Sequence, residues 1–147
     1  MKLLFVSLVF LILASTLITA LHEAEGSVEL TTENLEQIVF DPSKYVLIHL
    51  YAPWSGHCKF LSKSWGPLAQ SLKDNEQVVI SRFNCVDNLE FCESKFGHIM
   101  GYPTIYFVDK SNQFERYDGP RNVEDMTRFI LDRIKESTSN KRPQDEL

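Results

Sequence analysis

"YVLIHLYAPWSGHCKF", residues 45–60, decides the fold. Its first seven residues form a nearly continuous apolar run rich in β-formers, the pattern of a strand covered on both faces. The Trp54-Ser55-Gly56 corner then starts a helix that runs through Cys58, Leu61 and Trp65 to Leu72, with Gly66-Pro67 interrupting or bending it. A buried strand feeding directly into a helix is the first half of a βα unit.

The same alternation continues on both sides. Thr31 or Thr32 is expected to cap a short helix carrying Leu35, Ile38 and Val39, which Asp41-Pro42 ends. "VVISRFNCV", residues 78–86, reads as the next strand and Leu89 to Phe96 as the next helix. "GYPTIYFVD", residues 101–109, and "QFERYDG", residues 113–119, are joined by Lys110-Ser111-Asn112, short enough for an antiparallel hairpin. Asn122 caps a last helix with Val123, Met126, Phe129, Ile130 and Ile134 on one face. The order βα, βα, βα, ββα predicts an α/β fold, a central mixed sheet flanked by helices on both faces.

The two ends carry address signals. Lys2, the apolar run Leu3 to Ile18 and small residues up to Ala20 have the layout of a secretory signal peptide, residues 1–20, cleaved after Ala20. Left uncleaved, a run of about 17 apolar residues would just span a bilayer and hold the protein to the membrane. The final Gln144-Asp145-Glu146-Leu147 resembles the KDEL-type tetrapeptide that retrieval receptors read as an address for the endoplasmic reticulum lumen. Between the ends, residues 21–136 make one domain, and 137–147 a polar tail that presents the tetrapeptide. The formal net charge is −5 and no basic stripe occurs, which argues against nucleic acid as a partner.

The chemistry-bearing residues are few. Serine is among the best helix caps, so the Ser55 hydroxyl is expected to accept from the backbone N–H of residue 57 or 58. A catalytic role for it lacks support, since His57 is only two residues on and no G-x-S-x-G elbow surrounds it. Cys58 lies in a helix's first turn beside His57 and Lys59, where the helix dipole favours a thiolate. His49, alone in an apolar strand, reads as a satisfied core residue, although a neutral imidazole can in principle take a thiol proton. No ligand-pair spacing supports a metal site, and no cofactor is implied.

Tyr51-Ala52-Pro53-Trp54, Gly56-His57-Cys58-Lys59, Gly101-Tyr102-Pro103-Thr104 and Tyr117-Asp118-Gly119 with Arg121 together resemble a catalytic thioredoxin-like domain of the protein disulfide isomerase family. The resemblance covers roughly residues 27–136 and implies a thioredoxin-like fold. That family's motif is Cys-Gly-His-Cys, so the resemblance puts Ser55 where the nucleophilic cysteine stands and Cys58 at the more buried resolving cysteine. Serine neither ionises at neutral pH nor forms a disulfide, so ordinary dithiol oxidase or reductase activity is not expected.

The resemblance also puts His49 at the position of a buried glutamate that accepts the second cysteine's proton, and Lys63 where a helix proline is common. It makes Pro103 a cis-proline which, with Trp54 and Tyr102, shapes a groove for an extended substrate chain. Arg121 matches an arginine that approaches the second cysteine. Cys85 and Cys92 match a structural disulfide of some family members, leaving Cys58 as the odd thiol, and its small loop is worth about 2–3 kcal/mol by chain entropy. Three functions follow as expectations. The first is a redox-impaired client-binding chaperone for unfolded or disulfide-containing proteins of the secretory pathway; the others are a monothiol isomerase using Cys58 and an adaptor for one oxidoreductase or client.

Overall fold

A computed structural model describes Met1 and residues 26–140. The signal-peptide and retrieval readings fall on residues 2–25 and 141–147, outside the described residues. The described chain folds as β1 (Val28–Leu30), α1 (Leu35–Val39), β2 (Tyr45–Tyr51), α2 (Gly56–Leu72), β3 (Val78–Asn84), α3 (Leu89–Phe96), β4 (Thr104–Val108), β5 (Phe114–Arg116) and α4 (Val123–Ser139). The strands form one mixed sheet in the order β1-β3-β2-β4-β5. β1, β3 and β2 run parallel, while β4 pairs antiparallel with both β2 and β5.

β2 is the central strand, and six of its seven residues are buried. The period of two splits it between two cores. Tyr45 and Leu47 pack with Leu61, Trp65, Leu68 and Leu72 of α2 and with Met126 and Ile130 of α4. Val46, Ile48 and Leu50 pack on the other face with Leu35 and Val39 of α1, Cys92 of α3 and Ile99. Each fully buried aliphatic side chain contributes about 1.5–3 kcal/mol of transfer free energy, so both faces are needed to hold the sheet. The predicted α/β fold, a mixed sheet with helices on both faces, is what the chain adopts.

Several boundaries differ from the sequence reading, each for a local reason. The cap of α1 is Asn34 rather than Thr31 or Thr32, and its side chain makes no cap bond to the helix. Its Oδ1 accepts instead from the Thr31 N–H at 2.7 Å, while Thr31 Oγ1 accepts from the Glu33 N–H at 3.3 Å. These side chains close the turn before the helix, the usual competition of short polar groups with helix capping. α2 runs unbroken through Pro67, which lies on its exposed side while Gly66 and Leu68 face the core.

β3 stops at Asn84, whose Oδ1 accepts from the Val86 N–H at 3.2 Å as the chain turns toward α3. β4 starts only at Thr104, after a cis Tyr102–Pro103 bond. In the YDG stretch, Tyr117 Oη donates to the Pro120 carbonyl at 2.6 Å. A Cβ on Gly119 would sit 2.7 Å from Tyr117 Oη, so the close approach of this buried, hydrogen-bonded ring favours glycine. Among the described residues no helix is long and apolar enough to cross a membrane.

Candidate functional site

The site is built where β2 ends and α2 begins. After Tyr51 the chain buries Ala52 and turns, with the Ser55 N–H donating to the Ala52 carbonyl at 3.1 Å. Ser55 has extended backbone angles, φ −74° and ψ 120°, and its hydroxyl accepts from the Cys58 N–H at 3.3 Å. That is an N-cap, one of the two bonds open to the hydroxyl on sequence grounds. Burial follows the helix period: Ser55 is 6% exposed, Cys58 3%, and Leu61 and Trp65 continue the inward face. Trp54, His57 and Lys59 point out, Trp54 being 70% exposed.

A second loop meets this corner from β4. Pro103 is buried behind its cis bond, and Thr104 Oγ1 donates to the Gly101 carbonyl at 2.8 Å. The Tyr102 ring meets Trp54 edge-on with centroids 6.4 Å apart, so the two loops share one apolar surface. Burial first, then the Glu93 and Cys58 charges, hold the Tyr102 hydroxyl above its ordinary pKa. Glu93 of α3 anchors the loop, with Oε1 2.8 Å from His98 Nδ1 and accepting from the Ile99 N–H at 3.3 Å. Met100, two positions before Tyr102, is 87% exposed.

His49 lies under α2, 1% exposed, with its ring centroid 5.2 Å from that of Trp65 and 5.6 Å from that of Tyr51. It is not the satisfied core residue expected, because neither ring nitrogen has a partner among the described residues, nor does Trp65 Nε1. Register explains the isolation. His49 stands beside Arg82 on β3, which stands beside Glu29 on β1, and the Arg82 guanidinium turns away from the imidazole to pair with Glu29. Burial first, then the Arg82 and Arg121 charges, push the His49 pKa down to about 3. At neutral pH the imidazole is uncharged and a poor proton acceptor.

Arg121 itself is exposed and forms no ion pair among the described residues. The remaining cysteines lie elsewhere. Cys85 and Cys92 are disulfide-bonded, with Cα atoms 5.4 Å apart, and both are buried in the core on the α1/α3 face of the sheet. Cys58 is the free cysteine among the described residues. No group of three or more His, Cys, Asp and Glu side chains there could hold a metal ion.

The structure therefore gathers Trp54, Ser55, Cys58, Tyr102 and Pro103 at one corner, places His49 beneath it and separates Cys85 and Cys92 from it. Sequence reasoning missed Met100 and Phe60, both strongly exposed. The one signal for Met100 is its position immediately before Gly101-Tyr102-Pro103.

Comparison with known proteins gives a consistent result. The thioredoxin family pattern matches residues 26–132. Protein disulfide isomerase-like 2-1 of Oryza sativa subsp. japonica is 38% identical over 115 residues, covering 78% of this chain and 31% of that protein. The chain thus spans about a third of that relative. The solution structure of the first thioredoxin domain of mouse Protein disulfide-isomerase A4 superposes with a TM-score of 0.64 at 28% identity, covering 83% of each chain. The crystal structure of the Trx4 domain of ERdj5 shares the fold, with a TM-score of 0.66 at 19% identity over 76% of this chain and 98% of that one.

Proposed function

The chain belongs to the thioredoxin family, and from that premise we propose that it is a protein-disulfide-isomerase-like domain that binds folding clients without carrying out dithiol exchange. The observation that carries this reading is Ser55, whose hydroxyl caps α2 through the Cys58 N–H. Exchange needs two sulfurs that alternate between thiols and a disulfide, and an oxygen at the first position can do neither. Client binding does not need that reaction. The exposed Trp54 ring meets the half-buried Tyr102 beside the buried Pro103, and apolar surface of this kind on a folded domain fits an interaction site.

Residues 1–20 as a signal peptide, 21–136 as the domain and 137–147 as a tail read by a retrieval receptor through Gln144 to Leu147 would place that activity in the endoplasmic reticulum lumen. Clients are then unfolded or disulfide-containing proteins of the secretory pathway. Action by Cys58 alone, as a monothiol isomerase, requires a thiol that substrates can reach, and at 3% exposure it is closed to a protein disulfide in this conformation.

The test compares wild type, Cys58→Ala and Ser55→Cys in refolding a scrambled-disulfide substrate and in suppressing aggregation of a reduced client. Wild type and Cys58→Ala are expected to refold alike and poorly, Ser55→Cys to gain activity, and all three to suppress aggregation. Wild-type refolding activity that disappears in Cys58→Ala would overturn the non-catalytic reading in favour of the monothiol isomerase.

A further inference from the structure

β5 is an outer strand of the sheet, and among the described residues no further strand pairs with it. Its backbone faces that open edge in a definite way. The Tyr117 N–H donates to the Ile105 carbonyl at 2.9 Å and the Asp109 N–H to the Gln113 carbonyl at 3.1 Å. These bonds set the alternation of the antiparallel ladder: Glu115, opposite Phe107, bonds inward to β4, while the N–H and C=O groups of Phe114 and Arg116 point outward. Beside the edge, Phe114 is 40% exposed, and its ring meets Phe40, Phe96 and Tyr106 edge-on with centroids 5.9, 5.6 and 6.0 Å away. The other three rings are half-buried against the core on the α1/α3 face of the sheet. Arg116, on the same side of the strand as Phe114, is exposed and bonds Asp118 through Nε at 2.9 Å. Its two terminal nitrogens make no bond among the described residues. On the opposite side Arg133 donates from Nε and Nη2 to the two carboxylate oxygens of Glu115 at 2.6 and 2.7 Å.

We propose that this edge takes a second copy of the chain, the two β5 strands pairing antiparallel about a two-fold axis at Glu115 so that the two sheets become one. In that register Phe114 stands opposite Arg116 of the partner subunit, and every outward N–H and C=O of the strand is used. The side chains complement each other as well. The unbonded guanidinium nitrogens of Arg116 of the partner subunit lie over the negative face of the Phe114 ring, a cation–π contact that the symmetry repeats. Glu115 meets its own copy at the axis, where like charges oppose pairing, but Arg133 already neutralises each carboxylate. Such a contact is self-complementary and closes at two chains. The other outer strand, β1, offers Val28 at 37% exposure and no ring contact among the described residues. A strand of three residues buries little area, so the dimer is a weak one. It is independent of what the Trp54 surface binds.

Sedimentation equilibrium of the purified protein over about 10–500 µM tests this, and the mean mass is expected to rise from one chain toward two across that range. Arg116→Glu changes an exposed side chain and removes both symmetric contacts with Phe114, so it should weaken the dimer about tenfold. Glu115→Cys sets two thiols opposite each other at the axis in a non-hydrogen-bonded pair, where a Cβ separation of about 4.5 Å suits a disulfide. In oxidised glutathione this variant should crosslink faster than Asn112→Cys, which is exposed in the turn before β5. Circular dichroism and the urea midpoint check that each variant is folded. A mass of one chain at every concentration would overturn the proposal. So would a dimer that Arg116→Glu leaves equally strong, or crosslinking of Glu115→Cys no faster than that of Asn112→Cys, because the contact would then lie away from β5.

Discussion

Replacing His49 by leucine is expected to stabilise the protein, by an amount that grows as the pH falls. The imidazole is buried with both nitrogens unpartnered, and an unsatisfied buried polar group costs about 1–3 kcal/mol. Leucine has similar bulk and no polar atom, so His49→Leu removes that cost and forfeits the ring contact with Trp65, itself worth about 0.5–1.5 kcal/mol. With the hydrophobic gain of leucine, the net at pH 7.5 is about 1–2 kcal/mol in favour of the variant. The pH dependence follows from linkage. The folded pKa is about 3 against an ordinary value of 6.5, so between these values the unfolded chain binds the proton and the folded chain does not. Stability is then fully present above pH 6.5 and is lost as the pH falls toward 3.

Between pH 7.5 and pH 5 that loss is about 2 kcal/mol for wild type and is absent from the variant. The advantage of His49→Leu should therefore widen to about 3–4 kcal/mol at pH 5. Urea unfolding of both proteins at pH 7.5, 6.5, 5.5 and 5.0 measures the gap directly, and titrating carboxylates common to both cancel in the difference. A gap that stays constant across this range would refute the depressed pKa. A variant less stable than wild type at pH 7.5 would refute the absence of a partner for His49.

Three further outcomes test other parts of the structure. Ser55→Ala removes the cap on the Cys58 N–H and should cost about 1 kcal/mol in urea unfolding, whereas Ser55→Gly should cost only a few tenths. Replacing both Cys85 and Cys92 with alanine opens a loop closed across a sequence separation of 7, for an expected loss of about 2.5 kcal/mol by chain entropy, with more from the cavity left in the core; a loss below about 1 kcal/mol would count against the disulfide. Trp54→Ala, at a side chain that is mostly exposed, should change stability by no more than about 0.5 kcal/mol while weakening aggregation suppression. Equal suppression by that variant would place client binding elsewhere.

Much of the fold is legible in the residues. A run such as Tyr45 to Tyr51 needs no alternation to be recognised, because a strand covered by helices on both faces is apolar throughout. Asn122 before an amphipathic stretch marks the last helix, and its Oδ1 accepts from the Asp125 N–H at 2.9 Å. β1 could not be located that way. It has three residues with only Leu30 buried, and it is a strand because β3 offers it a free edge in register from Val28 opposite Ser81.

The site divides along the same line. The sequence alone determined that residue 55 has no sulfur and that a good cap starts the helix carrying Cys58, because these depend on residue type and on neighbours a few positions away. It also determined that His49 is buried, because it lies within a nearly continuous apolar run that fits a strand covered on both faces. Only the tertiary structure decided what surrounds these groups. Trp54 and Tyr102 come from loops 48 positions apart in the chain and meet at 6.4 Å. His49 lacks a partner because Arg82, beside it in the sheet, pairs with Glu29 of the edge strand instead. Burial and pairing are properties of elements brought together from distant parts of the chain, and a local pattern carries no record of which of them arrives.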